Sequence, residues 1–170
     1  NLTPQEEAMG FSVSENGNIL VPEGFAEKIQ TEMENMRDRG SQITKKTYPL
    51  DDAIALFSRQ GMEDKVKLFH FRRSSTVNVY CLEGYYDYFY GYMMPSTGYI
   101  RQFEVSAYKE GILLNLPGHE TPGELTPFRE EENLYEQLML STEWGNLVDI
   151  STVGDLNKQI CKGNISDMIL

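Results

Sequence analysis

The sequence predicts an α+β domain in which an antiparallel sheet carries helices on one face, followed by a short helical connector. Three observations predict it. Runs of β-branched and aromatic residues, clearest over 76–82, alternate with runs of helical periodicity. Glycine, proline and Asn-Gly punctuation separates them at short intervals. A stretch with prolines at 117, 122 and 127 then divides a strand-bearing part from an all-helical tail. The expected organisation is a domain over 1–116, a linker over 117–129 and a helical connector over 130–170.

Residues 10–14 alternate apolar and polar side chains, as a half-buried strand does. Residues 15–18 read as a hairpin turn, with the return strand at 19–21. Pro22 and Gly40 frame a helix over 22–39, with Phe25, Ile29, Met33 and Met36 on one face. Residues 42–48 read as a strand that places Thr44, Lys46 and Tyr48 together, and Pro49 breaks it. Asp51 or Asp52 is expected to cap a helix over 52–60 that carries Ile54, Leu56 and Phe57 and ends at Gly61. Residues 63–71 begin as a helix and then turn strand-like through Val66, Leu68 and His70.

Strands at 76–82, 99–108 and 112–116 suggest an antiparallel meander. Between the first two lie most of the tyrosines: seven of the ten fall between Tyr80 and Tyr99. Helices follow over 130–144, with Leu134, Leu138 and Met139 on one side, and around Gly154, ending near Gly163. A last helix start is expected at 165–170. Its apolar, open end suggests a chain cut from a longer one, as does the lack of an initiator Met.

Composition bounds the function. The net charge of −11 repels phosphate backbones, so non-specific nucleic-acid binding is disfavoured. No apolar run approaches the ~18–20 residues that cross a bilayer, and the polar, acidic N-terminus is no signal peptide. Cys81 and Cys161 are expected as separate buried thiols in a cytoplasmic protein. No P-loop, GxGxxG, HExxH or GxSxG pattern occurs. His70 and His119 alone do not make a zinc site; His119 is expected to be exposed in the linker. No catalytic residue and no metal ligand is assigned.

Two segments have the chemistry of a binding site. Arg72, Arg73, Ser74, Ser75 and Thr76 place two guanidinium groups beside three hydroxyls, which suits a phosphate or carboxylate. The same residues also suit a plain turn with surface arginines. Pro95-Ser96-Thr97-Gly98 reads as a rigid turn with Ser96 and Thr97 presenting hydroxyls. Aromatics such as Tyr88 and Tyr90 can stack on a ligand or fill a sheet core.

The block Asp87-Tyr88-Phe89-Tyr90-Gly91-Tyr92-Met93-Met94-Pro95 resembles the metal-ligand segment of the second additional domain of threonyl- and alanyl-tRNA synthetases. In threonyl enzymes that segment reads D-x-C-x-G-P-H-x-P. Phe89 stands at its Cys and Met93 at its His. Phe cannot ligate a metal, and a thioether is a poor zinc ligand. The other half of the family's ligand set, an HxxxH, is expected before Asn1. The resemblance covers about residues 10–116 and implies an editing-domain fold with a degenerate metal site.

A second resemblance uses more of the chain. The segments 72–80, 86–91 and 95–98, then Glu143-Trp144-Gly145 and Val153-Gly154-Asp155-Leu156-Asn157, are similar to the N-terminal region of bacterial uridine-kinase and phosphoribulokinase-family proteins. This implies a non-catalytic accessory module with no cofactor of its own. Its partner would be a C-terminal kinase domain beyond Leu170, to which ATP and Mg²⁺ belong. A relic cleft is the alternative: Arg72, Arg73, Ser96 and Thr97 would contact a nucleoside, an amino acid or a tRNA end, with Tyr88 or Tyr90 stacking. tRNA is opposed by the net charge. Residual ester hydrolysis with Asp87 as base is the weakest reading, because a lone carboxylate is a poor base at neutral pH.

Overall fold

The computed structural model describes Leu2 and residues 4–14 and 19–164. The turn expected at 15–18 and the helix start expected at 165–170 lie outside the described residues. In chain order the elements are α1 (Pro4–Ala8), β1 (Ser12–Val13), β2 (Ile19–Leu20), α2 (Phe25–Arg39), β3 (Ile43–Pro49), α3 (Leu50–Arg59), α4 (Glu63–His70), β4 (Thr76–Leu82), β5 (Tyr85–Asp87), a 3₁₀ turn (Thr97–Tyr99), β6 (Glu104–Tyr108), β7 (Gly111–Asn115), α5 (Glu132–Leu147) and α6 (Val153–Lys162). The class is α+β, with small antiparallel sheets and helices. Residues 116–131 carry neither helix nor strand. Two compact units form, each from two stretches: 1–42 with 94–128, and 43–93 with 129–170.

In the first unit, α2 presents Ala26, Ile29 and Met33 at helical spacing to Phe103 and Val105. The side chain of Gln30 accepts the Val105 N–H at 2.7 Å, so a polar group at this contact is satisfied. The helix begins after Gly24 and stops at Gly40, both left-handed. Thr97 is 6% exposed. Its hydroxyl donates to the Met36 carbonyl at 2.6 Å and its N–H to Ser41 at 3.0 Å, which closes the end of α2. β6 and β7 pair with each other, and β1 pairs with β2.

In the second unit the sheet order is β3-β4-β5, all antiparallel. Val77 and Val79 point to one face, where Ala53 and Phe57 of α3 and Phe69 of α4 complete the core. The register sets Tyr48, Lys46 and Thr44 opposite Val77, Val79 and Cys81, so those three share one face as the alternation predicts. α6 docks on α4 through Gly154: a Cβ there would lie 2.7 Å from Cβ of Lys67. Lys67 Nζ also pairs with Asp155 Oδ1 at 2.9 Å. A reciprocal capping box between Thr152 and Asp155 starts the helix.

Several expectations change. The meander is replaced: β4 pairs with β3 and β5, while β6 and β7 form their own sheet. Glu83 and Gly84 both have positive φ, 50° and 88°, and this tight turn sends the chain straight back as β5. The strand expected at 99–108 shortens to Glu104–Tyr108, because Thr97–Tyr99 curls into a 3₁₀ turn. The strand-like reading of 66–70 is wrong. α4 is helical throughout, and Val66, Leu68 and Phe69 all reach the core from it. α3 starts at Leu50 after Pro49, with Asp51 and Asp52 inside the first turn, where carboxylates suit the helix dipole. Cys81 is only half-buried and Cys161 is exposed at the end of α6.

The α4–α6 contact has a pH signature. Hydrogen bonds from Lys67 and then Thr152 hold the Asp155 carboxyl below its ordinary value. The Asp155 hydrogen bond holds the Lys67 amine above its own. The carboxylate's contribution is therefore complete above the ordinary carboxylate range and disappears as pH falls through the lowered value. The amine's is complete below the ordinary lysine range and is lost only in strong alkali. Protection of the 153–162 amides, taken relative to their intrinsic exchange rate at each pH, should therefore stay high near neutrality and fall in acid, and Asp155→Asn should remove that acid step. Gly154→Ala should accelerate the same amides at all pH values; unchanged exchange would mean that the close approach is not needed.

Candidate functional site

The tyrosine-rich segment is built by strand alternation. β5 sends Tyr86 to the helix-covered face, opposite Cys81, and Asp87 to the other, opposite Tyr80. The pattern continues past the strand. Tyr88 enters the core against Phe69, with ring centroids 5.1 Å apart. Phe89 instead meets Tyr80 on the other face, at 6.4 Å. One short segment thus feeds two sites on opposite sides of one sheet.

On the side away from the helices, Phe89 and Met93 line a hollow of ≈ 160 Å³ with Ile43, Tyr80, Leu82, Tyr85 and Asp87. Its floor is apolar. Tyr80 closes one end by donating its hydroxyl to the Gly91 carbonyl at 2.7 Å. Asp87 is the only carboxylate of this lining and it is engaged. Its Oδ1 accepts the Tyr88 N–H at 2.6 Å and lies 3.4 Å from Lys65 Nζ. Among the described residues, no group of three or more His, Cys, Asp or Glu side chains could hold a metal ion.

On the helix side, Arg72 follows α4 and donates Nη1 to the Tyr88 hydroxyl at 2.7 Å. Its guanidinium carbon lies 5.2 Å from the Tyr88 ring centroid. Tyr90 packs edge-on against Tyr88, with centroids 5.6 Å apart, and is 90% exposed. Arg73 is exposed. Ser74 makes a local turn, its hydroxyl donating to the Thr76 carbonyl at 2.9 Å. Ser75 uses its carbonyl to accept the Leu50 N–H at 2.9 Å.

Of the sequence candidates, then, Arg72, Tyr88 and Tyr90 come together on one face, and Asp87, Phe89 and Met93 on the other. Ser74 and Ser75 shape a turn. Ser96 and Thr97 belong to the other compact unit, where Ser96 bridges Gln42 and Thr97 locks α2. Sequence reasoning did not find Lys65 or Tyr80 as parts of this site. Lys65 gives no signal beyond its charge. Tyr80 could have been found from its place on β4, one residue out of phase with Val77 and Val79.

Among the described residues, no helix is long and apolar enough to cross a membrane. No protein-family model matches the chain. Threonine–tRNA ligases of Nitratidesulfovibrio vulgaris, from strains DP4 and Hildenborough, are 30% identical to it over 84 residues. That stretch is 49% of this chain and 13% of the relatives. The chain is therefore similar, over about half its length, to a small part of a tRNA synthetase, and carries a tRNA-synthetase-like domain.

Tyr80→Phe should cost about 0.5–1.5 kcal/mol in denaturant unfolding, the usual net worth of one hydrogen bond. It should also speed amide exchange over 89–93. Loss of stability without faster exchange there would show that the Gly91 contact does not hold the segment.

Proposed function

We propose that this chain is a non-catalytic accessory module, derived from a synthetase editing domain and serving an ATP-dependent nucleoside kinase of the uridine-kinase type. The observation that carries the non-catalytic part is the hollow beside Phe89 and Met93. The two positions that correspond to metal ligands in the resembling family carry apolar side chains, and the nearby carboxylate is paired with Lys65. An ester hydrolase needs a metal-bound water or a free base at this place, and neither chemistry is supplied. The similarity to threonine–tRNA ligases supports the descent. The resemblance at 72–80, 86–91, 95–98, 143–145 and 153–157 supports the kinase association. ATP and Mg²⁺ would belong to that kinase domain.

Two measurements test this reading. Elemental analysis of the purified chain should find substoichiometric zinc, and incubation with a mischarged tRNA should release no amino acid above the uncatalysed rate. Stoichiometric zinc with ester hydrolysis would overturn it. In a longer protein that contains this segment, deleting the segment should alter uridine phosphorylation by ATP. A protein with no phosphotransfer activity in either form would remove the kinase association and leave the hydrolysis result standing.

A second reading has one specific observation in its favour. Tyr92 is 94% exposed, with Lys45 Nζ 4.7 Å from its ring centroid. An exposed ring beside a cation suits base stacking and a phosphate. The net charge of −11 opposes tRNA binding. Salt-sensitive retention of tRNA that Tyr92→Ala abolishes would favour this reading.

A further inference from the structure

Behind Tyr88, on the helix side of the sheet, a hollow of ≈ 190 Å³ is lined by Phe69, Phe71, Arg72, Tyr88, Tyr90 and Asn157, among others. Arg72 is its single formal charge. The guanidinium lies against the packed ring pair, with Tyr88 at 5.2 Å and Phe69 at 6.0 Å from its carbon to the ring centroids. Its hydrogen bond goes to a neutral hydroxyl. Nε is enclosed and has no hydrogen-bond partner. Among the described residues no carboxylate pairs with this arginine, although 26 acidic residues are available in the chain. A half-buried guanidinium oriented by rings and left without an anion is a receptor for one.

We propose that this hollow binds a small carboxylate monoanion with a flat apolar body. The carboxylate would accept from the Arg72 Nη hydrogens that Tyr88 does not use, since Nε is enclosed. The Tyr88 oxygen accepts from Arg72, so its own hydrogen is available to the same anion. The Asn157 amide supplies a further polar group. The rings of Phe71 and Tyr90 are 38% and 90% exposed, and a planar body covers them. Charge matching narrows the class. No acidic side chain lines the hollow, so the ammonium of a zwitterionic amino acid has no partner there. One guanidinium matches one negative charge better than a phosphate dianion. This site goes beyond the accessory-module reading and does not depend on it.

Titration of the 170-residue chain with benzoate, benzamide and inorganic phosphate, followed by amide NMR, tests the site. Benzoate should shift the amides of 68–72, 88–90 and 157. Neutral benzamide should bind about tenfold more weakly or less, because it lacks the charged acceptor. Phosphate should bind more weakly than benzoate. Arg72→Lys keeps the charge and loses the fork, and should weaken benzoate by about tenfold. Tyr90→Ala removes an exposed ring, should leave the fold intact and should also weaken benzoate. Equal binding of benzoate and benzamide, shifts that map elsewhere, no shift at all, or full benzoate affinity in Tyr90→Ala would each overturn the proposal. The benzamide and Tyr90→Ala arms decide it even if Arg72→Lys fails to fold.

Discussion

The edge-to-face run Phe57–Phe69–Tyr88, with centroids 5.4 Å and 5.1 Å apart, is the contact on which the unit containing the three-stranded sheet turns. It joins α3, α4 and the chain just beyond β5. Phe57 and Phe69 are fully buried, and such aromatic pairs add about 0.5–1.5 kcal/mol each to what burial alone provides. Fixing Tyr88 in this stack fixes the phase of its neighbours. With Tyr88 inside, Asp87 and Phe89 face the opposite way, because successive strand side chains alternate. Arg72 is then drawn over the Tyr88 ring. The hollow behind Tyr88 and the one beside Phe89 therefore both follow from one aromatic contact.

The same phase gives the other face of the sheet its character. Phe89 and Met93 supply apolar surface beside Tyr80, Ile43 and Leu82, and both stay partly open to solvent, at 44% and 37% exposure. Asp87 reaches the same face with its carboxylate already held by the Tyr88 N–H and Lys65. The hollow there is an apolar surface with one engaged charge at its edge.

Much of the fold was legible because it is local. The antiparallel pairing of 12–13 with 19–20, the helix α2 between its glycines, and β4 with Val77 and Val79 on one side all follow from periodicity and glycine punctuation. α4 was misread over its second half because Val66, Leu68 and His70 happen to alternate. The packing of Phe69 overrode that signal. β5 was missed because Glu83-Gly84 is a weaker hairpin signature than Asn-Gly, although both residues take positive φ.

By itself, the sequence determined the α+β class, the resemblance at 87–98 and the absence of metal-binding residue types at 89 and 93. It could not decide which candidate residues meet. Neighbours in sequence such as Tyr88 and Phe89 end on opposite faces, since strand geometry separates them by half a turn. Distant residues such as Arg72, Tyr88 and Asn157 line one hollow, since α4, β5 and α6 converge there. Ser96 and Thr97 look like binding hydroxyls in the sequence. Burial against α2 instead makes Thr97 a lock, because its hydroxyl satisfies a helix-end carbonyl that would otherwise lack a donor.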